Sequence, residues 1–208
     1  YELMWQDFFC LGVSWLESPV APMSRDYPLY VLLESAAARE RLEQALEDAI
    51  NAGEVVDAVL ASSQAQARAL WKIREATGEF PLRMTPLNFD VSLPIGQIGD
   101  FAELCRQRLE QRWPGNRSVY FGHIGDSNLH LTVDCDSLPQ PAPVFEIEEL
   151  VYTAVGELGG SVSAEHGIGL LKREFLHHSV SHEARQAMQQ LKDCYDPNGI
   201  LNPGKILG

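Results

Sequence analysis

The sequence reads VYFGHIGDSNLHLTV over residues 119–133, and this stretch decides the fold. Its two ends are apolar and β-prone, while its middle carries turn residues, which is typical of two strands joined as a β-hairpin. If Asp126 and Ser127 form a two-residue loop, His123 lies opposite His130. Opposed residues share one face of a sheet with Cβ atoms about 5 Å apart. Two such imidazoles can bind one metal ion; the alternative is a pair of half-buried histidines bonded to backbone.

The rest of the chain alternates between strand-like and helix-like segments. Further strands are predicted at 29–33, 55–60, 89–93 and 161–164. Helices are predicted at 36–51, 63–77 with Ser63 as N-cap, 98–113, 144–158, 170–175 and 182–194, and residues 1–28 are predicted to be irregular. A hairpin within such a series favours an α+β fold over a doubly wound parallel sheet. We expect a ferredoxin-like antiparallel sheet with helices packed on one face.

Composition indicates an ordinary globular protein. The 208 residues are 45% hydrophobic and 22% charged, enough for one domain of ordinary size or two small ones. The formal net charge of −13 argues against nucleic acid and anionic membranes as partners, but an anionic small substrate stays compatible with it. No apolar run approaches the roughly 18 residues of a membrane-spanning helix.

The four cysteines are far apart in sequence and form no CxxC motif. They are typical of free thiols in a reducing compartment, so we expect a cytoplasmic protein. No signal peptide is recognisable, and the chain starts with Tyr1 rather than Met, which suggests a fragment or a processed chain.

A third metal ligand is available where a short predicted strand meets a glycine-rich turn. Glu165 and His166 occupy this position, directly before Gly167 and Gly169. Glycines let a backbone approach a ligand closely, and two imidazoles with one carboxylate suit zinc, manganese or iron. The alternatives are a solvated strand end for Glu165 and a helix-capping role for His166.

Arg74 is a candidate for binding a carboxylate. It lies three residues after Trp71, on the same face of a predicted helix, and a guanidinium held in this way can bind a carboxylate with two hydrogen bonds. The alternative is a surface arginine paired with Glu75 or Glu79. Serine hydrolase, P-loop and dinucleotide-binding motifs are not present in the sequence.

Three motifs follow one another along the chain: GHIGDSNLH at 122–130, EHGIG at 165–169 with Lys172, and DPNGILNPGK at 196–205. In this order they resemble the C-terminal domain of FAD-linked oxidases. That family includes D-lactate dehydrogenase, the glycolate oxidase FAD subunit and D-2-hydroxyglutarate dehydrogenase. Since the resemblance covers nearly the whole chain, residues 1–208 are expected to form this domain, with the N-terminal FAD-binding domain absent from the chain.

The resemblance implies oxidation of a small D-2-hydroxy acid to a 2-oxo acid by hydride transfer to FAD. In metal-dependent members the counterparts of His123, His130 and Glu165 bind zinc or manganese. The counterpart of His166 is the base, and that of Arg74 holds the substrate carboxylate. Asn202, with Glu165 and His166, is expected near the flavin. The N-terminal FAD domain of the parent protein is the expected partner, a homodimer is expected, and this chain alone is expected to be inactive.

At three positions the sequence differs from the family pattern, and these differences lead to two expectations. Glycine is frequent where Ser127 stands, so the turn is expected to be strained or of another type. D-2-hydroxyglutarate dehydrogenase resembles this chain but has a lysine in place of Asn88 and a threonine in place of Gly78, which argues for a substrate other than a dicarboxylate. A metal-dependent hydrolase and a non-catalytic relative with this fold are the alternative functions.

Overall fold

A computed structural model describes residues 1–16, 21–36 and 38–207, which form two compact units, Tyr1–Arg83 and Met84–Gly208. The first unit contains β1 (Glu2–Trp5), α1 (Gln6–Ser14), β2 (Leu29–Leu32), α2 (Arg39–Asn51), α3 (Gln64–Arg74) and α4 (Phe80–Arg83). The second contains β3 (Pro86–Ser92), α5 (Ile98–Arg112), β4 (Ser118–Gly122), β5 (Asn128–Asp134), α6 (Val144–Glu157) and α7 (His182–Tyr195). Within the described ranges, every helix is too short or too polar to cross a membrane.

The first unit packs aromatic side chains of α1 against an antiparallel strand pair. Met4 of β1 lies opposite Tyr30 of β2, and the ring of Tyr30 stacks on Phe9 with centroids 3.7 Å apart. The predicted Ser63 cap is confirmed, because its hydroxyl accepts a hydrogen bond from the backbone N–H of Gln66. Stacking and burial of these rings stabilise a small unit whose strands are only four residues long.

Several predicted elements are wrong. Residues 1–28 were expected to be irregular, yet β1 and α1 fall there. Residues 55–60 form no strand, and Val56 is 77% exposed, because no neighbouring strand covers this apolar run. The segment 161–164 contributes only the single bridge of Ser161 to Ser92, and 170–175 forms successive turns in place of a helix. Ala37, inside the predicted helix 36–51, lies outside the described residues.

The second unit is built on the antiparallel strand order β4-β5-β3, which confirms the α+β class and the antiparallel sheet. Side chains alternate across it. One face is apolar: Phe89 meets the ring of Tyr152 of α6 edge-on at 5.4 Å, and Arg106 of α5 lies 4.7 Å above the ring of Tyr120. On β3 and β5 the opposite face is polar and carries Asn88 opposite Thr132 and Asp90 opposite His130.

The histidine hairpin has a different register from the predicted one. Phe121, not His123, lies opposite His130. The predicted two-residue loop is wrong because type I′ and II′ hairpin turns both need positive φ at their first central residue, and Asp126 has none. The chain instead forms a 3₁₀ turn over Ile124–Asp126 and places Ser127 alone at φ 60°. A non-glycine residue in this left-handed region is strained, as expected for the turn without glycine.

Gly122 is required where the two hairpin strands approach each other most closely. A Cβ built there would lie 2.5 Å from the carbonyl oxygen of Asn128 and 2.9 Å from the Cα of Leu129. We expect Gly122→Ala to lower the free energy of unfolding by about 1–3 kcal/mol, since the clash involves backbone that cannot rotate away. Urea denaturation measures the change.

Gly99→Ala in α5 is the matched control for this prediction, because nothing lies within 4 Å of its added Cβ. Alanine is favoured over glycine in helices, so this variant is expected to be as stable as the wild type or slightly more so. Equal unfolding free energies for the Gly122→Ala protein and the wild type would contradict the close approach.

Candidate metal and catalytic site

His123 and His130 lie side by side despite the changed register. His130 is the third residue of β5, and His123 follows the end of β4 with backbone angles (φ −91°, ψ 69°) that take it out of the strand. This bend turns its ring onto that of His130, with centroids 5.4 Å apart and an interplanar angle of 88°. The structure therefore brings the two predicted metal ligands together, by a bend rather than by strand pairing.

Glu165 completes the predicted set of three ligands. Its Oε1 lies 4.0 Å from Nε2 of His123, and one ligand atom from each of Glu165, His123 and His130 lies within 4.8 Å of the others. The Glu165 side chain is 56% exposed, so one side of the cluster is open. Open positions are what a metal that also binds substrate requires.

The backbone from 160 to 166 is attached to β3 at two points. Ser161 and Ser92 exchange hydrogen bonds of 2.7 and 3.0 Å. Closer to the histidines, Oδ2 of Asp90 accepts backbone N–H groups from residues 164, 165 and 166 at 3.2, 2.9 and 2.8 Å. These bonds place Glu165 and His166 beside a sheet to which neither belongs.

Asp90 is a buried carboxylate, only 1% exposed, at the centre of this arrangement. Burial by itself would raise the pKa of Asp90. The backbone N–H groups of His166 and Glu165, helped by the charges of His166 and Lys172, outweigh burial and hold the pKa below its ordinary value. The carboxylate is therefore ionised at neutral pH and supplies a fixed negative charge beneath the histidines.

The second oxygen of Asp90 indicates that the cluster fits a metal ion. Oδ1 is buried, makes no hydrogen bond and lies 4.0 Å from Nδ1 of His130. Metal-binding histidines commonly donate their other ring N–H to a carboxylate, which fixes the tautomer and leaves Nε2 to bind the metal. At 4.0 Å, the separation of Oδ1 from Nδ1 of His130 is longer than a hydrogen bond. Two imidazoles, one carboxylate and this orienting carboxylate are the donor set that zinc or manganese takes.

His166 lies next to the cluster of His123, His130 and Glu165 but is not one of its three predicted ligands. Its ring is roughly parallel to that of His130 at a centroid distance of 6.5 Å, and its Nδ1 lies 3.8 Å from Oδ2 of Asp90. Its side chain is 63% exposed. A carboxylate near one ring nitrogen orients an imidazole and favours a proton on it, which is the arrangement of a general base with its orienting group.

Acidification is expected to weaken this arrangement through Asp90. Because its pKa is lower in the folded than in the unfolded state, Asp90 contributes stability above its unfolded pKa of about 4, and that stability is lost as pH falls through the folded pKa. We expect Asp90→Asn to be less stable than the wild type at pH 7, and the difference to narrow as pH falls below about 4. Urea titrations at several pH values measure this; a constant difference would contradict it.

Lys172 and the C-terminal tail support the turn that follows His166. The Lys172 ammonium donates to the carbonyl oxygen of Asp90 at 3.0 Å, and burial lowers its pKa although Asp90 opposes this. Asn202 has φ 45° and lies in an exposed tail, which is held where Ile206 donates to Gly169 and Arg173 donates to Gly204. The expected role of Asn202 at the flavin stays a prediction.

Arg74 lies in the first unit, and its partner is neither of the two glutamates that the sequence suggested. Its Nε lies 2.7 Å from Oε2 of Glu2, and both side chains are nearly buried, at 11% and 10% exposure. The ion-pair partner of Arg74 is therefore Glu2 rather than Glu75 or Glu79. The prediction that Arg74 holds a substrate carboxylate stays a prediction.

The residue that the sequence reasoning missed is Asp90. A signal was present: a carboxylate stands between Phe89 and Val91 in a run that predicts a buried strand. Aspartate is almost never fully buried unless it is paired, so a charged residue at this position indicates a partner or a site.

Sequence comparison places these features among flavoproteins. A D-2-hydroxyglutarate dehydrogenase of Stutzerimonas stutzeri is 38% identical over 194 residues, 89% of this chain and 42% of the relative. One from Rattus norvegicus is 38% identical over 189 residues, 88% of this chain and 35% of the relative. A Schizosaccharomyces pombe protein, named provisionally as a mitochondrial D-lactate dehydrogenase, is 34% identical over 201 residues, 89% of this chain and 38% of the relative. The chain thus spans about two fifths of the curated relatives it matches.

Comparison with solved structures supports the fold alone. The 4-ethylphenol oxidase of Gulosibacter chungangensis superposes with a TM-score of 0.55 at 16% identity, over 99% of this chain and 47% of the oxidase. The family described as FAD linked oxidases, C-terminal domain, matches residues 1–206. The chain therefore belongs to the FAD-linked oxidases and forms their C-terminal domain.

Proposed function

We propose that the parent protein oxidises a D-2-hydroxy acid to a 2-oxo acid and passes the electrons to FAD. The observation that carries this proposal is the convergence of His123, His130 and Glu165 beside His166, above one buried carboxylate. Membership in the FAD-linked oxidases and the dehydrogenase names of the relatives support it. FAD would be bound mainly by a domain outside this chain, because the relatives are more than twice as long as the matched region.

His123, His130 and Glu165 would hold a divalent cation, zinc or manganese. When bound, the cation would polarise the substrate hydroxyl and lower its pKa, while FAD would accept the two electrons with the α-hydrogen as hydride. The polar face of the sheet orients the ligands: Asp90 faces Nδ1 of His130 and fixes the backbone of Glu165. This preorganisation leaves little to rearrange when substrate binds.

His166 would take the proton of the substrate hydroxyl. Its exposed ring is accessible to a substrate, and its Nδ1 lies 3.8 Å from Oδ2 of Asp90, which would orient it. His166 would take the proton of the O–H bond, bound FAD would supply the acceptor for the α-hydrogen and its two electrons, and the C–O bond would become a carbonyl. A binding role for Arg74 at the substrate carboxylate is part of this proposal through the family resemblance.

Asn88 indicates whether the substrate has one carboxylate or two. It lies on the same face of β3 as Asp90, is exposed, and its Oδ1 accepts a hydrogen bond from the hydroxyl of Thr132 at 2.8 Å. An amide in this position carries no charge to pair with a second carboxylate. We therefore propose a monocarboxylic D-2-hydroxy acid as the preferred substrate.

Anaerobic reduction of the flavin tests the proposed function in the full-length protein. D-lactate is expected to bleach the flavin absorbance faster than D-2-hydroxyglutarate, and L-lactate is expected not to bleach it. Failure of every D-2-hydroxy acid to reduce a flavin that dithionite does reduce would contradict the proposed function. Faster bleaching by D-2-hydroxyglutarate would contradict only the choice of substrate.

A further inference from the structure

A second group of metal-ligating side chains lies in the Met84–Gly208 unit and shares no residue with the site above. It consists of Glu149 on α6 and of His177 and His178 in the 3₁₀ turn Leu176–His178. One ligand atom from each of the three lies within 4.8 Å of the others. None of the roles proposed so far uses these residues, so their juxtaposition requires a separate explanation.

His177 is oriented with one ring nitrogen free for a ligand. Its Nδ1 lies 2.8 Å from the backbone carbonyl oxygen of Glu174. A carbonyl oxygen only accepts hydrogen bonds, so Nδ1 carries the proton and the lone pair of the neutral ring is on Nε2. A backbone carbonyl that holds Nδ1–H in this way is a common support for metal-binding histidines.

His178 presents a buried ring nitrogen without a hydrogen bond. Its side chain is 12% exposed, and Nε2 is buried and lies 3.7 Å from Oε1 of Glu149, beyond hydrogen-bond distance. Burial, together with the neighbouring His177, lowers the pKa of His178, although Glu149 opposes this. A largely buried imidazole whose Nε2 makes no hydrogen bond is suited to bind a cation.

The turn that carries both histidines is held firmly against α6. A Cβ added to Gly156 would lie 3.0 Å from the carbonyl oxygen of His178 and 3.3 Å from its Cβ. The ring centroids of His177 and His178 are 4.0 Å apart, so the two imidazoles leave the turn in the same direction. The position of His178 is therefore fixed, whereas the half-exposed Glu149 and the exposed His177 can adjust.

We propose that Glu149, His177 and His178 form a second divalent-cation site of the zinc class, which ties α6 to the turn Leu176–His178. Two imidazoles and a carboxylate are ligands that zinc prefers, and water completes a tetrahedron. Ligand atoms about 2.0–2.2 Å from zinc lie roughly 3.4 Å from each other in that geometry. Small adjustments of the Glu149 and His177 side chains, with Nδ1 of His177 kept on the carbonyl oxygen of Glu174, are expected to close the remaining gap.

Zinc binding to the full-length protein tests this proposal once the first cluster has been disabled. In a His123→Gln, His130→Gln background, we expect one equivalent of Zn²⁺ per chain by competition dialysis, and absorption bands of tetrahedral Co²⁺ in place of zinc. His177→Gln and Glu149→Gln, both at exposed or half-exposed positions, are each expected to weaken Zn²⁺ binding at least tenfold. His182→Gln is the matched control, because this α7 histidine contacts Gln186 instead of the cluster.

Absence of Zn²⁺ binding in the background variant, or binding that His177→Gln and Glu149→Gln leave unchanged, would overturn the second site. Circular dichroism checks that each variant is folded. Since the readout is metal bound rather than turnover, it is independent of the proposed function: a protein that oxidises no hydroxy acid can still bind this zinc, and an active enzyme can fail to bind it.

Discussion

His166→Gln is expected to lower kcat of the full-length enzyme for its D-2-hydroxy acid by about 10²–10⁴-fold, the usual contribution of a positioned general base. Glutamine keeps the approximate size and polarity of the side chain but cannot take a proton. The ring is 63% exposed, and residue 166 is bonded to Asp90 through its backbone N–H, which the substitution keeps. The variant is therefore expected to fold normally. Steady-state turnover and single-turnover flavin reduction measure the change.

Two further readouts separate the loss of a base from a structural defect. The acidic limb of the kcat profile reports protonation of the base in the enzyme–substrate complex, so His166→Gln should abolish it. His182→Gln, another exposed histidine, should leave kcat and the profile unchanged. Retention of wild-type kcat by His166→Gln would contradict the assignment of this residue as the base.

His130→Gln is expected to weaken binding of the divalent cation at the candidate site by more than about 100-fold. It removes a ligand, and loss of a partner that merely orients a ligand already costs about 10–100-fold. His130 is the ligand fixed most firmly, by its place in β5 and by Asp90 on one side of its ring. Turnover should fall in proportion to the metal lost, and excess Mn²⁺ or Zn²⁺ should restore part of it.

Two further substitutions, Asp90→Asn and Thr132→Ser, are expected to lower metal affinity less than His130→Gln does. Asp90→Asn keeps the ligands but removes the charge facing Nδ1 of His130, so metal affinity should fall by about 10–100-fold. Thr132→Ser changes the next polar residue on the same face of β5 and keeps its hydroxyl, so affinity should be unchanged. Equal metal affinity in the wild type and His130→Gln would contradict the ligand assignment.

Proximity of the two histidines follows from the sequence, but the way it is achieved does not. Turn residues between two β-prone runs require His123 and His130 to lie near the same end of a hairpin. The register depended on the turn type, and the isolated left-handed Ser127 with a 3₁₀ turn before it moved the pairing to Phe121. The bend at His123 then brought the rings together by a local backbone conformation that side-chain periodicity does not encode.

Two buried carboxylates with partners far away in the sequence show what sequence patterns could not predict. In β1 the inward positions are Glu2 and Met4, and a buried glutamate hides the alternation that marks a strand. Its partner Arg74 is 72 residues away along the chain. Asp90 is a similar case, since its three backbone donors lie 74 to 76 residues further on. Such pairings are set by tertiary structure, and only the presence of an unexpected charge points to them.

Anomalous diffraction from crystals of the full-length protein, grown with Mn²⁺ or Zn²⁺ and measured at the absorption edge of that metal, tests whether His123, His130 and Glu165 bind one cation. We expect a peak about 2.0–2.2 Å from a ring nitrogen of His123, a ring nitrogen of His130 and a carboxylate oxygen of Glu165, with Asp90 bonded to Nδ1 of His130. A flavin-containing, active enzyme whose crystals show no anomalous peak among these three side chains would contradict it.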